Sequence, residues 1–294
     1  YMEDEMKTPM HMSMGEEAIS VGVCAAIGRR GAVYSTYRSH AVYVAMTDET
    51  DAFFGELYGK VTGVARGKAG SMHLSAPEYG FLGASAIVGS TIPLAVGASY
   101  ASKTLGSKKI AAVFFGDGAI DEGVFWESLN LACVMRLPVL FVCEDNSLAV
   151  HAFDHARHGY RSIANVVAAF DCRVFISQST DVEKIHEIAQ KAIDHATNKK
   201  MPVFLHLKYY RYLEHVGIRD DFGAGYRSRD EFERWHRKDP VALQRRKLLA
   251  LGLSESVIKR SEKIIDRQIE QSIMRAQKAP FPKASELFDN VFAQ

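Results

Sequence analysis

Two side chains with hard oxygen atoms, Asp117 and Asn146, stand 29 positions apart, each at the end of a short apolar run. A carboxylate and an amide oxygen suit Mg²⁺, which wants octahedral oxygen ligands and is usually completed by phosphate and water. The glycines flanking the acid, Gly116 and Gly118, let the backbone approach closely, so that their N–H groups can face a phosphate. Residue types and spacing therefore point to a metal–diphosphate site. The same residues also suit a plain turn at a strand end, with Asp117 as a cap and Asn146 in a turn. Taken alone, Gly-Asp-Gly is more often that plainer feature.

The elements around the pair favour the chemistry. Ile110–Phe115 reads as a buried strand that ends at Gly116-Asp117-Gly118. Residues 122–136 carry a helical stripe of Trp126, Leu129, Cys133 and Leu137, and Val139–Cys143 is a second buried run. Strand, helix and strand in this order make a βαβ unit with parallel strands. Both ligand candidates then sit at carboxyl strand ends, where open α/β sheets bind ligands, and the helix N-terminus points at the anion. Helices are also expected at 13–27, with a Ser13/Glu16 capping box and a stop at Gly28, at 91–105 and at 181–197. A strand is expected at Val203–Tyr209, and Gly-rich loops at Gly55–Gly89 and after Tyr210. The expected fold is α/β, a mostly parallel sheet with helices on both faces, as one domain over residues 1–294. A helical extension begins at about residue 229, with Val257, Ile258, Ile264, Ile265, Ile269 and Ile273 as its apolar face.

Composition excludes other classes. Hydrophobic residues make up 47% and charged residues 24%, enough for a sizeable soluble core. A formal net charge of +1 gives no basic surface for nucleic acid or membranes. Apolar runs such as Leu137–Cys143 are too short to span a bilayer. Cys24, Cys133, Cys143 and Cys172 show no CxxC spacing and read as reduced core thiols of a cytoplasmic protein. The chain opens on Tyr1-Met2-Glu3-Asp4 without a signal-peptide pattern, apparently inside a helix and downstream of a true start.

Gly116-Asp117-Gly118 followed by Asn146 is similar to the signature of thiamine-diphosphate enzymes. Further stretches resemble, in the same chain order, the E1 alpha subunits of 2-oxo acid dehydrogenases of the pyruvate, acetoin and branched-chain type. These are His11-Met12-Ser13-Met14-Gly15-Glu16-Glu17-Ala18, Tyr37-Arg38-Ser39-His40, Gly67-Lys68-Ala69-Gly70-Ser71-Met72-His73, Ile87-Val88-Gly89 with Pro93-Leu94, and Tyr210-Arg211-Tyr212 with His215.

The resemblance implies a fold that holds thiamine diphosphate and Mg²⁺. Asp117 and Asn146 would bind the metal by side chain and Leu148 by its carbonyl oxygen. Gly116 and Asp117 belong to the cofactor turn, and Gly118 and Ala119 would meet the diphosphate through backbone N–H. Tyr37 and Arg38 would bind phosphate oxygens, a task that suits an arginine fork. The backbones of Ala86 and Val88 would hold the aminopyrimidine. His215 would assist proton or acyl transfer, with His11 and His40 lining the substrate approach. The implied reaction is decarboxylation of a small 2-oxo acid with acyl transfer to the lipoyl group of an E2 component. The implied partner is a beta-type subunit, in an alpha2beta2 assembly, that supplies the glutamate activating the pyrimidine. The N-terminal half of a split transketolase, acting on a sugar-derived substrate, is the rival reading.

The chain departs from the pattern where mitochondrial pyruvate-type members carry phosphorylated serines; Val216 and Gly225 stand there. The stretch Ser147–His158 also differs and leaves the acid open. Its His151, Asp154, His155 and His158 resemble a metal cluster, although a substrate-facing or solvated loop is the plainer reading. Gly63–Gly67-Lys68 lacks P-loop spacing. The loop 211–228, with Gly217, Gly223 and Gly225 and few apolar anchors, is expected to be mobile without cofactor.

Overall fold

The computed structural model describes residues 4–107 and 109–289. The expected N-terminal helix falls partly on Tyr1–Glu3, outside the described residues, and Asp4–Met10 contains no helix. The first helix, α1 (Glu17–Ile27), starts four residues later than its sequence pattern suggests. Gly15 is the reason: its φ is +103°, and a Cβ there would come within 2.0 Å of the Tyr210 carbonyl oxygen. No Ser13/Glu16 capping box forms, and the Glu16 carboxyl turns elsewhere.

β1 (Ala32–Thr36), α2 (His40–Thr47), α3 (Asp51–Leu57), β2 (Phe81–Ser85) and α4 (Thr91–Thr104) follow. The central unit is β3 (Ala111–Gly116), α5 (Gly123–Val134) and β4 (Val139–Asp145). A two-residue antiparallel pair, β5 (Leu148–Ala149) and β6 (Ala152–Phe153), leads into the short helices α6 (Asp154–Arg157) and α7 (Ile163–Val167). β7 (Arg173–Ser177), α8 (Val182–Lys199) and β8 (Val203–Lys208) complete the sheet, and α9 (Arg229–His236), α10 (Pro240–Ala250) and α11 (Glu255–Lys278) close the chain.

Six strands form one sheet in the order β2-β1-β3-β4-β8-β7, with every pairing parallel. β3 and the first five residues of β4, Val139–Cys143, are apolar because both faces are covered. Ala112, Phe114, Leu140 and Val142 point into a core shared with α1 and α8. Ala111, Val113, Phe115, Val139 and Phe141 point the other way, towards Ile92, Ala95 and Val96 of α4 and Phe125 and Leu129 of α5. On α4 the packing stripe is Ile92, Ala95, Val96 and Ser99, whereas Gly97 points outward.

The chain enters the sheet at β1, next to one edge. β2 lies on one side of β1, and β3 lies on the other. This reversal puts a topological switch point between β1 and β3, where the loops leaving the two strands part and open a crevice. Tyr37 and Arg38 leave β1 there, and Gly116–Ala119 leave β3.

The apolar face expected on the last helix is only partly used. Ile258 is buried, but Val257, Ile264 and Ile265 are about half exposed. α11 docks on α3 by polar contacts instead: Ser272 donates to Asp51 at 2.6 Å, and Arg275 forms an ion pair with the same carboxylate. None of the helices is long and apolar enough to cross a membrane, among the described residues. All four cysteines are free and buried.

Candidate functional site

At the switch point lies a cavity of about 290 Å³, lined by Tyr37, Arg38, Val88, Gly116, Gly118, Ala119, Asn146, Leu148 and His215, among others. The named residues come from five separate stretches of sequence and converge on one space. Gly118 faces the β5 residue Ala149 so closely that a Cβ would come within 2.9 Å of its side chain. Only glycine leaves the turn open there.

Asp117 is buried at the end of β3. One oxygen accepts the Asn146 backbone N–H at 3.3 Å, so the two ligand candidates are neighbours. The other is ion-paired to Arg157. Burial, with Asp145 beside it, pushes the Asp117 carboxyl up to about 6 against the pull of Arg157. Asn146 donates from Nδ2 to the Tyr209 hydroxyl at 2.9 Å and accepts the Leu148 N–H on Oδ1 at 3.0 Å. Ser147 and Val150 hold positive φ, +63° and +55°, so the ligand-bearing turn is strained, most of all at the β-branched Val150.

The Asp117 carboxylate beyond β3 and the Asn146 amide and Leu148 carbonyl oxygens beyond β4 are hard oxygens of the kind Mg²⁺ takes. A guanidinium already against Asp117 is in keeping with a site that takes a cation.

Arg38 is buried and donates to the carbonyl oxygens of Met12, at 2.6 Å, and His215, at 3.2 Å. It ties the cavity floor to the loop that carries His215. The rings of His11 and Tyr37 lie 4.3 Å apart, and those of His11 and His215 5.2 Å apart. Burial and then Arg38 lower both imidazoles, His11 to about 3 and His215 to about 4, so both are neutral near pH 7.

Three expectations change. His40 does not line the cavity: its Nε2 lies 2.6 Å from the Ser71 hydroxyl and its ring packs edge-on to Phe53, as a structural histidine does. Ala86 stops short of the lining that Val88 reaches. The loop 211–228 is not short of anchors, because they are ionic rather than apolar. Arg211, almost fully buried, donates to the Tyr226 hydroxyl at 2.8 Å and pairs with Asp221, which also holds Arg227.

The histidines after Asn146 build no metal cluster. His151 packs on Tyr226, and His158 Nε2 meets Asp121 at 2.9 Å. Among the described residues, no group of three or more His, Cys, Asp or Glu side chains is placed to hold a metal ion. The glycine-rich loop near Lys68 has its N–H groups taken by Glu56, which accepts from Ala65, Gly67, Ala69 and Gly70 at 2.7 to 3.0 Å.

Sequence reasoning passed over Glu16, Glu144 and Tyr209, which also line the cavity. Glu16 is buried, and burial raises it to about 7 against the pull of Arg38, Ser13 and Tyr209. Glu144 is raised by burial and then by Glu16. The signal for Glu16 was there, as an acid beside Gly15 that fails to cap.

Residues 2–285 match the family described as the dehydrogenase E1 component. A pyruvate dehydrogenase E1 component subunit alpha of Zymomonas mobilis is 32% identical over 96% of this chain and 79% of its own length. The alpha subunit of an acetoin:2,6-dichlorophenolindophenol oxidoreductase of Bacillus subtilis is 33% identical over 96% of this chain and 84% of its own. A pyruvate dehydrogenase E1 component subunit alpha of Porphyra purpurea is 32% identical over the whole chain and 87% of its own length.

Proposed function

This chain belongs to the dehydrogenase E1 component family as an alpha-type subunit of an oxidoreductase, and from that premise we propose that it holds the diphosphate end of thiamine diphosphate through Mg²⁺ and serves in decarboxylating a 2-oxo acid. The supporting observation is the cavity that gathers Gly116, Gly118, Ala119, Tyr37, Arg38, Asn146, Leu148 and His215, with Asp117 one hydrogen bond from Asn146.

Asp117, Asn146 and the Leu148 carbonyl are the proposed metal ligands. The Gly118 and Ala119 N–H groups and the Tyr37 and Arg38 side chains face the phosphates, where charged hydrogen bonds are strongest. When bound, thiamine diphosphate supplies the carbanion that attacks the keto carbon and the electron sink for the leaving carboxylate. His215 is a neutral imidazole at the working pH and accepts or returns a proton at the reacting end, while His11 and Tyr37 fix its ring face. Leu148, Ala149 and Val150 wall the space and keep water from the reacting atoms.

The site is half of one. The carboxylic acid that activates the pyrimidine has to come from a second α/β unit, and the described strands of this chain are used up in a single six-stranded sheet and one small hairpin. Ile87, Val88 and Leu94 are exposed beside the cavity by 72%, 40% and 54%, an apolar rim for a beta-type partner to cover. An alpha2beta2 assembly with closed twofold symmetry fits this division, and a lipoyl-bearing E2 is the proposed acyl acceptor.

The test is to supply the purified chain with thiamine diphosphate, Mg²⁺, 2-oxo acids and an artificial electron acceptor, with and without its beta-type partner. Turnover only with the partner is expected. Full turnover by the chain alone would refute the split site.

A further inference from the structure

Asp117 takes part in an arrangement that metal binding has to break. Its Oδ2 is paired with Arg157 Nη2, and Nη1 of the same guanidinium is paired with Asp121. The third nitrogen, Nε, donates to the Ala152 carbonyl at 3.2 Å. The Arg157 side chain is only 11% exposed and spans the turn from its first acid to its last. Asp117 itself lines a second cavity, of about 500 Å³, on the side of His158, His206 and Lys208, whereas Asp121 lines the cofactor cavity. The guanidinium therefore sits at the seam between the two spaces.

The segment that delivers Arg157 is held by charge rather than by burial. None of the four α6 residues is fully buried, and the neighbouring His158 meets Asp121 at 2.9 Å and stacks on Tyr160. Such a segment opens at lower cost than an element anchored in the core. A hard divalent cation needs the Asp117 carboxylate free of other cations, because two positive charges on one buried carboxylate repel at close range in a low dielectric.

We propose that Arg157 is the resident counterion of Asp117 and that loading the metal displaces it, releasing residues 154–158 from the cofactor turn. The inference rests on the metal assignment made above and adds a role for the Asp117–Arg157 ion pair. Arg157 acts through Asp117 and is a positioning residue. It keeps the buried acid neutralised before loading and makes the segment after the metal ligands respond to occupancy. A latch closed about nine-tenths of the time weakens apparent metal affinity about tenfold.

The experiment uses the assembled enzyme stripped of cofactor and titrated with Mg²⁺ at saturating thiamine diphosphate in a calorimeter, as wild type, Arg157→Ala and Arg157→Lys. Arg157→Ala is expected to bind Mg²⁺ about tenfold more tightly, with Arg157→Lys near wild type, because the lysine keeps the competing charge. Equal or weaker binding by Arg157→Ala overturns the inference. Hydrogen exchange on the wild type gives a second reading that does not depend on the variants folding. Amides 154–158 should exchange faster in the loaded enzyme than in the stripped one, and greater protection on loading overturns the latch. Lack of Mg²⁺-dependent binding in the wild type would bring down the metal assignment and the latch together. Wild-type binding without tightening in Arg157→Ala removes the latch alone.

Discussion

Arg211 Nη1 lies 3.3 Å from His215 Nδ1, and the same guanidinium reaches Asp221 through its other terminal nitrogen. A nearly fully buried arginine thus holds the proposed proton-transfer histidine from behind, and burial with its neighbours lowers the arginine itself to about 10. The loop carrying His215 is preorganised by this network, so positioning of the imidazole depends on a carboxylate six residues away in sequence.

Asp221→Ala should expose that dependence. It leaves Arg211 and Arg227 buried without their shared counterion, and removing one partner of a buried ion pair costs about 3–5 kcal/mol. Denaturant unfolding should show a loss of that order, and turnover should fall with it. A variant as stable and as active as wild type would mean that the network does not hold the loop.

His215→Ala should separate chemistry from binding. A positioned acid–base group contributes about 10²–10⁴-fold in rate. Turnover is expected to drop within that range while thiamine-diphosphate affinity changes little. Unchanged turnover would make His215 a structural histidine.

Glu16 gives a pH dependence with a definite sign. Its folded value, about 7, lies above the ordinary 4.5, so the folded state binds the proton more tightly than the unfolded state does. Stability therefore falls as pH rises from 4.5 through 7, and above that the full penalty applies. Glu16→Gln removes the ionisation. The variant should match wild type near pH 5 and be more stable by about 1–3 kcal/mol near pH 8. Thermal unfolding at the two pH values checks this, and no gain at the higher pH would contradict a desolvated Glu16.

Much of this was legible because β3, α5 and β4 form a local unit. Their periodicities are strong, and Asp117 and Asn146 fall at strand ends by spacing alone. β1, β2 and β7 were not legible, and each has a physical reason. β1 is five residues behind a Gly, β2 carries a glycine and sits at an edge, and β7 is a half-exposed edge strand. Without β1 and β2 the switch point is invisible in sequence, and Tyr37 and Arg38 join the site only through the family resemblance. The ionic anchors of loop 211–228, Arg211, Asp221 and Arg227, were not legible because no apolar pattern marks them. Arg157 gave no sign at all, since nothing local links it to an acid 40 residues earlier.

Asp117→Ala should abolish Mg²⁺-dependent thiamine-diphosphate binding without unfolding the chain. Asp117 is the one acid among the three proposed ligands. Calorimetry on the assembled enzyme, with circular dichroism as the folding check, decides the outcome. Wild-type cofactor affinity in the variant would remove the metal from this turn.

The central claim is that this chain binds a divalent cation between Asp117, Asn146 and the Leu148 carbonyl, with the cofactor's diphosphate as the remaining ligand. The direct measurement is a crystal structure of the assembled enzyme with thiamine diphosphate and Mn²⁺ in place of Mg²⁺, using the anomalous signal of the manganese to locate the ion. The account predicts one peak per alpha chain in contact with those three residues and the diphosphate. A peak at the histidines of 151–158, or bound cofactor with no metal at Asp117, would contradict it.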